Sequence, residues 1–266
     1  MNKKNLVCYL FTKYDDKKSL INFTKNYNLY PAGCRHRLLI CFKLLDQKNI
    51  ISARLLLKNT NYIEFIDPVT LNDYDFGSYM RIAQMYTAYT IFFLNSHSYP
   101  ITSNWLKKTL FHHKRKTFIG TSASNESLLT SLKIKNFYKF FSYLYNFLKY
   151  KKKFKSFPNP HIRTSSFLIK ASDFLIFIRN KNFNNKEDAW YAESGINSMT
   201  NFFKKKKFNI YVVNSDGHKF AENQWKFSET FNFLSQSKSL ISDKHTRKYL
   251  KLSNKMRIIS EKATWG

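Results

Sequence analysis

Short apolar runs alternate with amphipathic stretches through the first half of the chain. Residues 6–11, 37–42 (RLLICF), 62–66 and 90–94 (TIFFL) are apolar and of strand length. Between them, residues 17–27, 46–57 and 73–89 carry apolar positions at helical spacing, as Leu20, Ile21 and Phe23 do in the first. Short continuous apolar runs suit strands buried on both faces, and a 3.6-residue period suits helices laid over them. The alternation predicts an α/β fold: a mainly parallel central sheet with helices on both faces.

The second half is less regular. Residues 105–111 read as a short helix and 118–120 as a strand. Residues 134–155 interleave aromatic and basic positions: Phe137, Tyr138, Phe140, Phe141, Tyr143, Tyr145 and Phe147 precede Lys149 and the cluster Lys151 to Lys153. This pattern predicts an amphipathic helix with a basic end, either an ordinary packed helix or one that docks on an anionic membrane surface. A strand is expected at 166–169, a helix at 174–178, one long helix at 187–203 and a strand at 209–213. Residues 216–266 read as a polar tail with scattered apolar contacts. No repeat or linker divides the chain, so one domain over 1–266 is expected. Its parts are 1–130, the basic aromatic segment 131–156, and 157–266.

Composition narrows the classes. With 43% hydrophobic residues among 266, the chain has enough apolar surface for a core and is not of disordered type. Lys and Arg number 45 against 17 Asp and Glu, a formal charge of +28. Two readings of that charge stay open. One is an anionic partner: nucleic acid, acidic lipid or a phosphorylated substrate. The other is codon bias, because Lys, Asn, Phe, Tyr and Ile, the residues of A/T-rich codons, crowd the sequence. Three cysteines (Cys8, Cys34, Cys41) match no zinc spacing or disulfide framework, which fits a reducing, cytoplasmic compartment. The apolar run at 6–11 is too short for a leader and lacks a cleavage site, and no stretch is long enough to span a bilayer. Any membrane association is expected to be peripheral, at the inner face.

Candidate chemistry clusters where apolar runs stop. The strand at 90–94 ends abruptly in Asn95-Ser96-His97-Ser98. Polar residues at the carboxyl end of a buried strand are where α/β sheets place ligands. His161 and Arg163 follow the rigid Pro158-Asn159-Pro160, and a guanidinium there suits a phosphate.

Several segments together resemble bacterial GT-A-type glycosyltransferases, related to family 2 and to the rhamnan-synthesis proteins of capsule and lipopolysaccharide clusters. They are Tyr30-Pro-Ala-Gly-Cys-Arg-His36, Asp75-Phe-Gly-Ser-Tyr79, Phe93-Leu-Asn-Ser-His-Ser98 and Phe157-Pro-Asn-Pro-His-Ile-Arg-Thr164. Asp188-Ala-Trp-Tyr-Ala-Glu-Ser-Gly195, Val213-Asn-Ser-Asp-Gly217, Ser242-Asp-Lys-His-Thr246 and Ala263-Thr-Trp-Gly266 follow in the same order. The resemblance implies a Rossmann-like GT-A sheet whose N-terminal half binds a nucleotide-sugar and whose C-terminal half binds a glycan or lipid-linked glycan acceptor. The implied reaction is inverting transfer of a sugar to a growing cell-surface polysaccharide.

That reaction needs a base for the acceptor hydroxyl and stabilisation of the leaving diphosphate. The resemblance puts the catalytic carboxylate at Glu193, with Asp188 as the alternative. It sets Asp75 towards the nucleotide, with a helix N-cap as the competing role. Asn95, Ser96, His97, Ser98 and Arg163 are expected at the donor. His161, Asp216, Asp243 and His245 are expected at the acceptor or as late diphosphate contacts. The family's Asp-x-Asp motif, which holds Mn or Mg, corresponds here to Asn95-Ser96-His97. Neutral oxygens suit those hard ions poorly, and His97 or His245 favours a softer one. Hence the metal is held otherwise, or basic residues neutralise the diphosphate, or activity is lost. A non-catalytic nucleic-acid-binding protein is the alternative function, disfavoured because the basic residues spread over the whole chain.

Overall fold

The computed structural model describes residues 4–132 and 140–266. The first half alternates as expected: β1 (Asn5–Thr12), α1 (Lys17–Leu29), β2 (Arg37–Lys43), α2 (Gln47–Leu56), β3 (Ile63–Asp67), α3 (Tyr74–Met85) and β4 (Thr90–Leu94). Next come β5 (Tyr99–Pro100), α4 (Trp105–Phe111), β6 (Thr117–Gly120), β7 (Ala123–Ser124), α5 (Phe140–Lys153), β8 (His161–Ile162) and β9 (Ser166–Lys170). The chain continues through α6 (Ala171–Ile178), α7 (Lys186–Ser194), α8 (Met199–Lys205), β10 (Asn209–Val213) and β11 (Lys219–Phe220). A 3-10 turn (Glu222–Ser228), β12 (Ile241–Ser242), α9 (Lys244–Leu250) and α10 (Asn254–Trp265) close it.

Eight strands form one sheet in the order β11-β10-β6-β9-β4-β1-β2-β3. β1 pairs in parallel with β2 and β4, β2 with β3, and β6 with β10. β9 runs antiparallel between β4 and β6. The side-chain period of two splits β1 between two layers. Leu6, Cys8 and Leu10 join Tyr79, Ile82, Phe174 and Phe203 under α3, α6 and α8. Val7, Tyr9 and Phe11 join Leu20, Phe23, Ile50 and Trp105 under α1, α2 and α4. The fold is therefore α/β: a Rossmann-like, mainly parallel central sheet with helices on both faces.

Two expectations change. The helix expected at 187–203 is two helices, α7 and α8, broken at Gly195, whose ψ of 173° is extended. A Cβ there would stand 2.3 Å from the Tyr191 ring, so the close turn needs glycine. Ser198 then caps α8 by accepting from the Asn201 N–H. The tail holds a 3-10 turn and two helices rather than loose polar chain. Asp243 caps α9, and Trp265 and Thr264 tie α10 back through hydrogen bonds to Phe231 and Glu126. Of the basic aromatic segment, α5 is described; Phe137 and Tyr138 lie outside the described residues. Trp225 is fully buried in the core. No helix among the described residues is long and apolar enough to cross a membrane.

Phe167, on β9, packs against the rings of Tyr79, Phe93, Phe118 and Phe174 with centroids 5.0 to 6.0 Å apart. Phe167→Ala should lower stability by about 3–5 kcal/mol, from lost burial plus the cavity left behind. Urea unfolding checks this; a loss under about 1 kcal/mol would place the centre of the core elsewhere.

Candidate functional site

The parallel strands all end at one edge of the sheet. Because β9 is antiparallel, it begins at that same edge. Residues after β4 and residues before β9 therefore face each other: the Asn95 N–H donates to the Ser165 carbonyl at 3.1 Å. The first turn of α3, the last turn of α7 and the first turn of α9 complete a cavity of about 620 Å³ there. Six of the residues expected from sequence line it: Asp75, Asn95, His161, Arg163, Glu193 and His245.

Glu193 sits on the last turn of α7, and its Oε1 accepts the Thr164 N–H at 2.8 Å. One carboxylate oxygen is thus held by backbone next to the cavity. Asp75 lies in the first turn of α3. Burial pushes its carboxyl up to about 6, against the pull of Lys43, and the charges of Asp15 and Glu193 push the same way. Asp75 is not the cap of that helix. Asp73 occupies the N-cap position, and its carboxylate pairs with Lys43 and with Arg81 at 2.6 Å. Beside Asp75, the Tyr79 hydroxyl is buried with no hydrogen-bond partner among the described residues, although it lines the cavity. A buried hydroxyl left unpaired costs about 1–3 kcal/mol.

The opposite wall holds Arg163 and His245. Arg163 is buried, donates to Asp243 at 2.6 Å and lies 3.7 Å from the centre of the Phe231 ring. It is thus engaged by protein, and its fixed charge borders the cavity. Burial opposes the ionisation of Asp243, but the Arg163 charge and the Thr246 N–H win and hold it down to about 2. Asp243 itself caps α9 through the N–H groups of His245 and Thr246. Burial and then Arg163 hold His245 below its ordinary value, against Asp243, Glu126 and Glu193. His161 is fixed by an Nδ1 contact to the Asn159 carbonyl at 2.8 Å.

The turn after β4 is mostly self-satisfied. Asn95 Oδ1 accepts from Ser98 Oγ at 2.7 Å and from the His97 N–H at 3.3 Å. Ser96 Oγ donates to Asp15 at 2.7 Å, and its carbonyl accepts from the Tyr9 hydroxyl. His97 Nε2 stands 3.6 Å from the same Asp15 carboxylate. Only Asn95 of the four lines the cavity. This donor set carries no carboxylate and is already hydrogen-bonded, so it does not fit Mn or Mg. No group of three or more His, Cys, Asp or Glu side chains among the described residues is placed to hold a metal ion.

Two expected residues lie elsewhere. Asp188 closes the capping box of α7 with Asn185. Asp216 is exposed and pairs with Lys238 at 3.0 Å. The sequence reading missed Asp15, Tyr79, Glu126, Lys186 and Trp190. Lys186 and Trp190 lie one helical turn apart on α7, with the ammonium 5.2 Å from the ring centre, and both line the cavity. Their i, i+4 spacing with Glu193 three residues on was the available signal.

No protein-family model matches this chain, and no curated protein matches it in sequence. Among solved structures, it is similar to the apo glycosyltransferase GlyE of Streptococcus pneumoniae, at 11% identity and TM-score 0.46, over 98% of this chain and 60% of that one. It is similar to the 4-diphosphocytidyl-2C-methyl-D-erythritol synthase of Anaerococcus prevotii, at 9% identity and TM-score 0.47, over 85% and 96%. It is also similar to the bifunctional glycosyltransferase WbbM, at 10% identity and TM-score 0.39, over 71% and 37%. The chain thus spans 37% of WbbM and 60% of GlyE. Likenesses this distant decide nothing about the reaction, and the reactions these names state differ.

Asp75 gives a pH signature. Its folded value near 6 lies above its ordinary 3.8, so its ionisation opposes folding. The penalty is absent below about pH 4, grows as pH rises through 6, and reaches at most about 3 kcal/mol. Asp75→Asn should therefore raise stability at pH 8, with the gain vanishing by about pH 4. Urea midpoints at the two pH values check this; no gain at pH 8 would contradict the burial of an ionised group.

Proposed function

We propose that this chain is a GT-A-type glycosyltransferase that moves a sugar from a nucleotide-sugar donor to an acceptor hydroxyl. One observation carries the reading. Six side chains from segments spread between residues 75 and 245 converge on one cavity at the carboxyl edge of the sheet, two of them carboxylates. This is where a mainly parallel sheet places a nucleotide.

In this reading Glu193 is the base. With Oε1 held by the Thr164 N–H, Oε2 is the oxygen that takes the proton of the acceptor hydroxyl. The acceptor oxygen then bonds to the anomeric carbon as that carbon's bond to the diphosphate breaks, with inversion. The departing nucleoside diphosphate gains negative charge. Lys186, the fixed Arg163 charge and the His245 imidazole surround the cavity to receive it. Asp75 and the unpaired Tyr79 hydroxyl provide an acceptor and a donor for hydroxyls of the ribose or the transferred sugar. The acceptor we propose is a glycan, free or lipid-linked, of a cell-surface polysaccharide of capsule or lipopolysaccharide type.

Glu193→Gln keeps the shape and the contact to Thr164 but removes the basic oxygen. Release of nucleoside diphosphate from the donor the protein binds should fall by about 10²–10⁴-fold. Donor affinity should change less than about threefold. Unchanged turnover would move the base to another residue.

A further inference from the structure

A second and larger cavity, about 970 Å³, opens at the opposite, amino edge of the sheet. Its wall is made by what precedes or ends the strands there. Lys4 stands just before β1, and Lys114, Arg115 and Lys116 stand before β6. Lys170 ends the antiparallel β9, and Lys206 follows α8. The single carboxylate in the wall is Asp173. Burial pushes its carboxyl above the ordinary value, against the pull of Lys170, Lys116 and Arg115. None of the six cations lies within 4 Å of a carboxylate among the described residues, whereas Lys43, Arg54, Arg81, Lys149 and Lys204 elsewhere all do. Six positive groups thus share the pocket with one carboxyl, Asp173, an imbalance that an anion would relieve.

The floor and rim add a second property. Phe202 and Phe208 partly line the floor, while Ile176 at the wall is 60% exposed and Phe111, two residues before His113 of the wall, is 80% exposed. An apolar tip beside a ring of lysines suits the interface of a bilayer. The tips enter the acyl boundary while the ammonium groups meet phosphates. A single-stranded nucleic acid would call instead for a row of open rings on which bases stack, whereas Phe202 and Phe208 of this pocket are half-buried, Phe203 is buried, and only Phe111 beside it is open.

We propose that this amino-edge pocket docks the protein on a membrane surface rich in anionic phospholipid, with a lipid phosphate seated among Lys4, Lys114, Arg115 and Lys170. The surface is distinct from the amphipathic helix α5 and independent of the transferase reading. Since the two cavities lie at opposite ends of the strands, docking by one leaves the other open to solvent.

Vesicle co-sedimentation tests this with the full chain, at about 0.15 M salt, on phosphatidylcholine with and without about 30% phosphatidylglycerol. The wild type should bind only the anionic vesicles. K114E/R115E should weaken that binding at least tenfold. K151E/K152E, the same charge change on α5, should leave it within about twofold. Ile176→Asn, which changes no charge, should also weaken it while the melting temperature stays unchanged. Equal losses in the two charge variants would mean attraction by net charge alone and would overturn the assignment. So would loss confined to the α5 variant, or a wild type that ignores the anionic vesicles but retains a random RNA oligomer.

Discussion

One reversed strand sets the position of everything that matters at the carboxyl edge. β9 is inserted antiparallel between β4 and β6. Were it parallel, the segment before it would lie at the amino edge, some 15 Å or more away for a strand of this length. Because it is reversed, His161, Arg163 and Thr164 arrive beside Asn95. Thr164 then holds Glu193, and Arg163 holds Asp243. The reversal is stabilised by the packing of Phe167 among four other rings, so the geometry of the cavity and the centre of the core depend on the same five residues of backbone. It also carries Lys170, at the far end of the strand, to the basic pocket.

Around that edge, buried charge is handled in two ways. Where it is structural, it is paired. Lys43, almost fully buried, meets Asp73, which also takes Arg81, and Arg81 in turn takes Asp67. Arg163 and Asp243 form a second such pair. Removing one partner from a pair like these strands the other, at a cost of about 3–5 kcal/mol. Asp75 and Tyr79, which also face the cavity, are handled differently. Asp75, acted on by Lys43 but in no salt bridge among the described residues, is pushed up to about 6 by burial, and the Tyr79 hydroxyl has no hydrogen-bond partner among those residues. Unsatisfied groups gathered at one concavity are the usual mark of a ligand site.

Much of the fold was legible because its strands are buried on both faces. Continuous apolar runs mark β1, β2, β4 and β10 within a residue or two of their ends. The direction of β9 was not legible, because periodicity does not carry a sense along the chain. The break between α7 and α8 hid inside one helical period, and only Gly195 with Ser198-x-x-Asn201 pointed to it. The tail helices were missed because Ile258 and Ile259 of α10 face solvent, while polar groups hold that helix in place. Of the cavity lining, Asp75 and Glu193 stood out in the sequence because carboxylates are scarce in so basic a chain. Asp188 was drawn in by the same reasoning but serves as a cap. Asp15 and Tyr79 lie on elements whose sequence reads as ordinary core and cap, so their place at the edge comes from topology alone.

The central claim is that the carboxyl-edge cavity receives a nucleotide-sugar rather than a nucleic acid. Trp190 lines that cavity, so its fluorescence reports on occupancy. Titration with UDP-, GDP- and dTDP-linked sugars, beside a random oligonucleotide, should be run at about 0.1 M and again at about 0.4 M salt. The account predicts saturable binding of one nucleotide class that survives the higher salt, against oligonucleotide binding that falls steeply. Binding to the oligonucleotide alone, lost at higher salt, would contradict it.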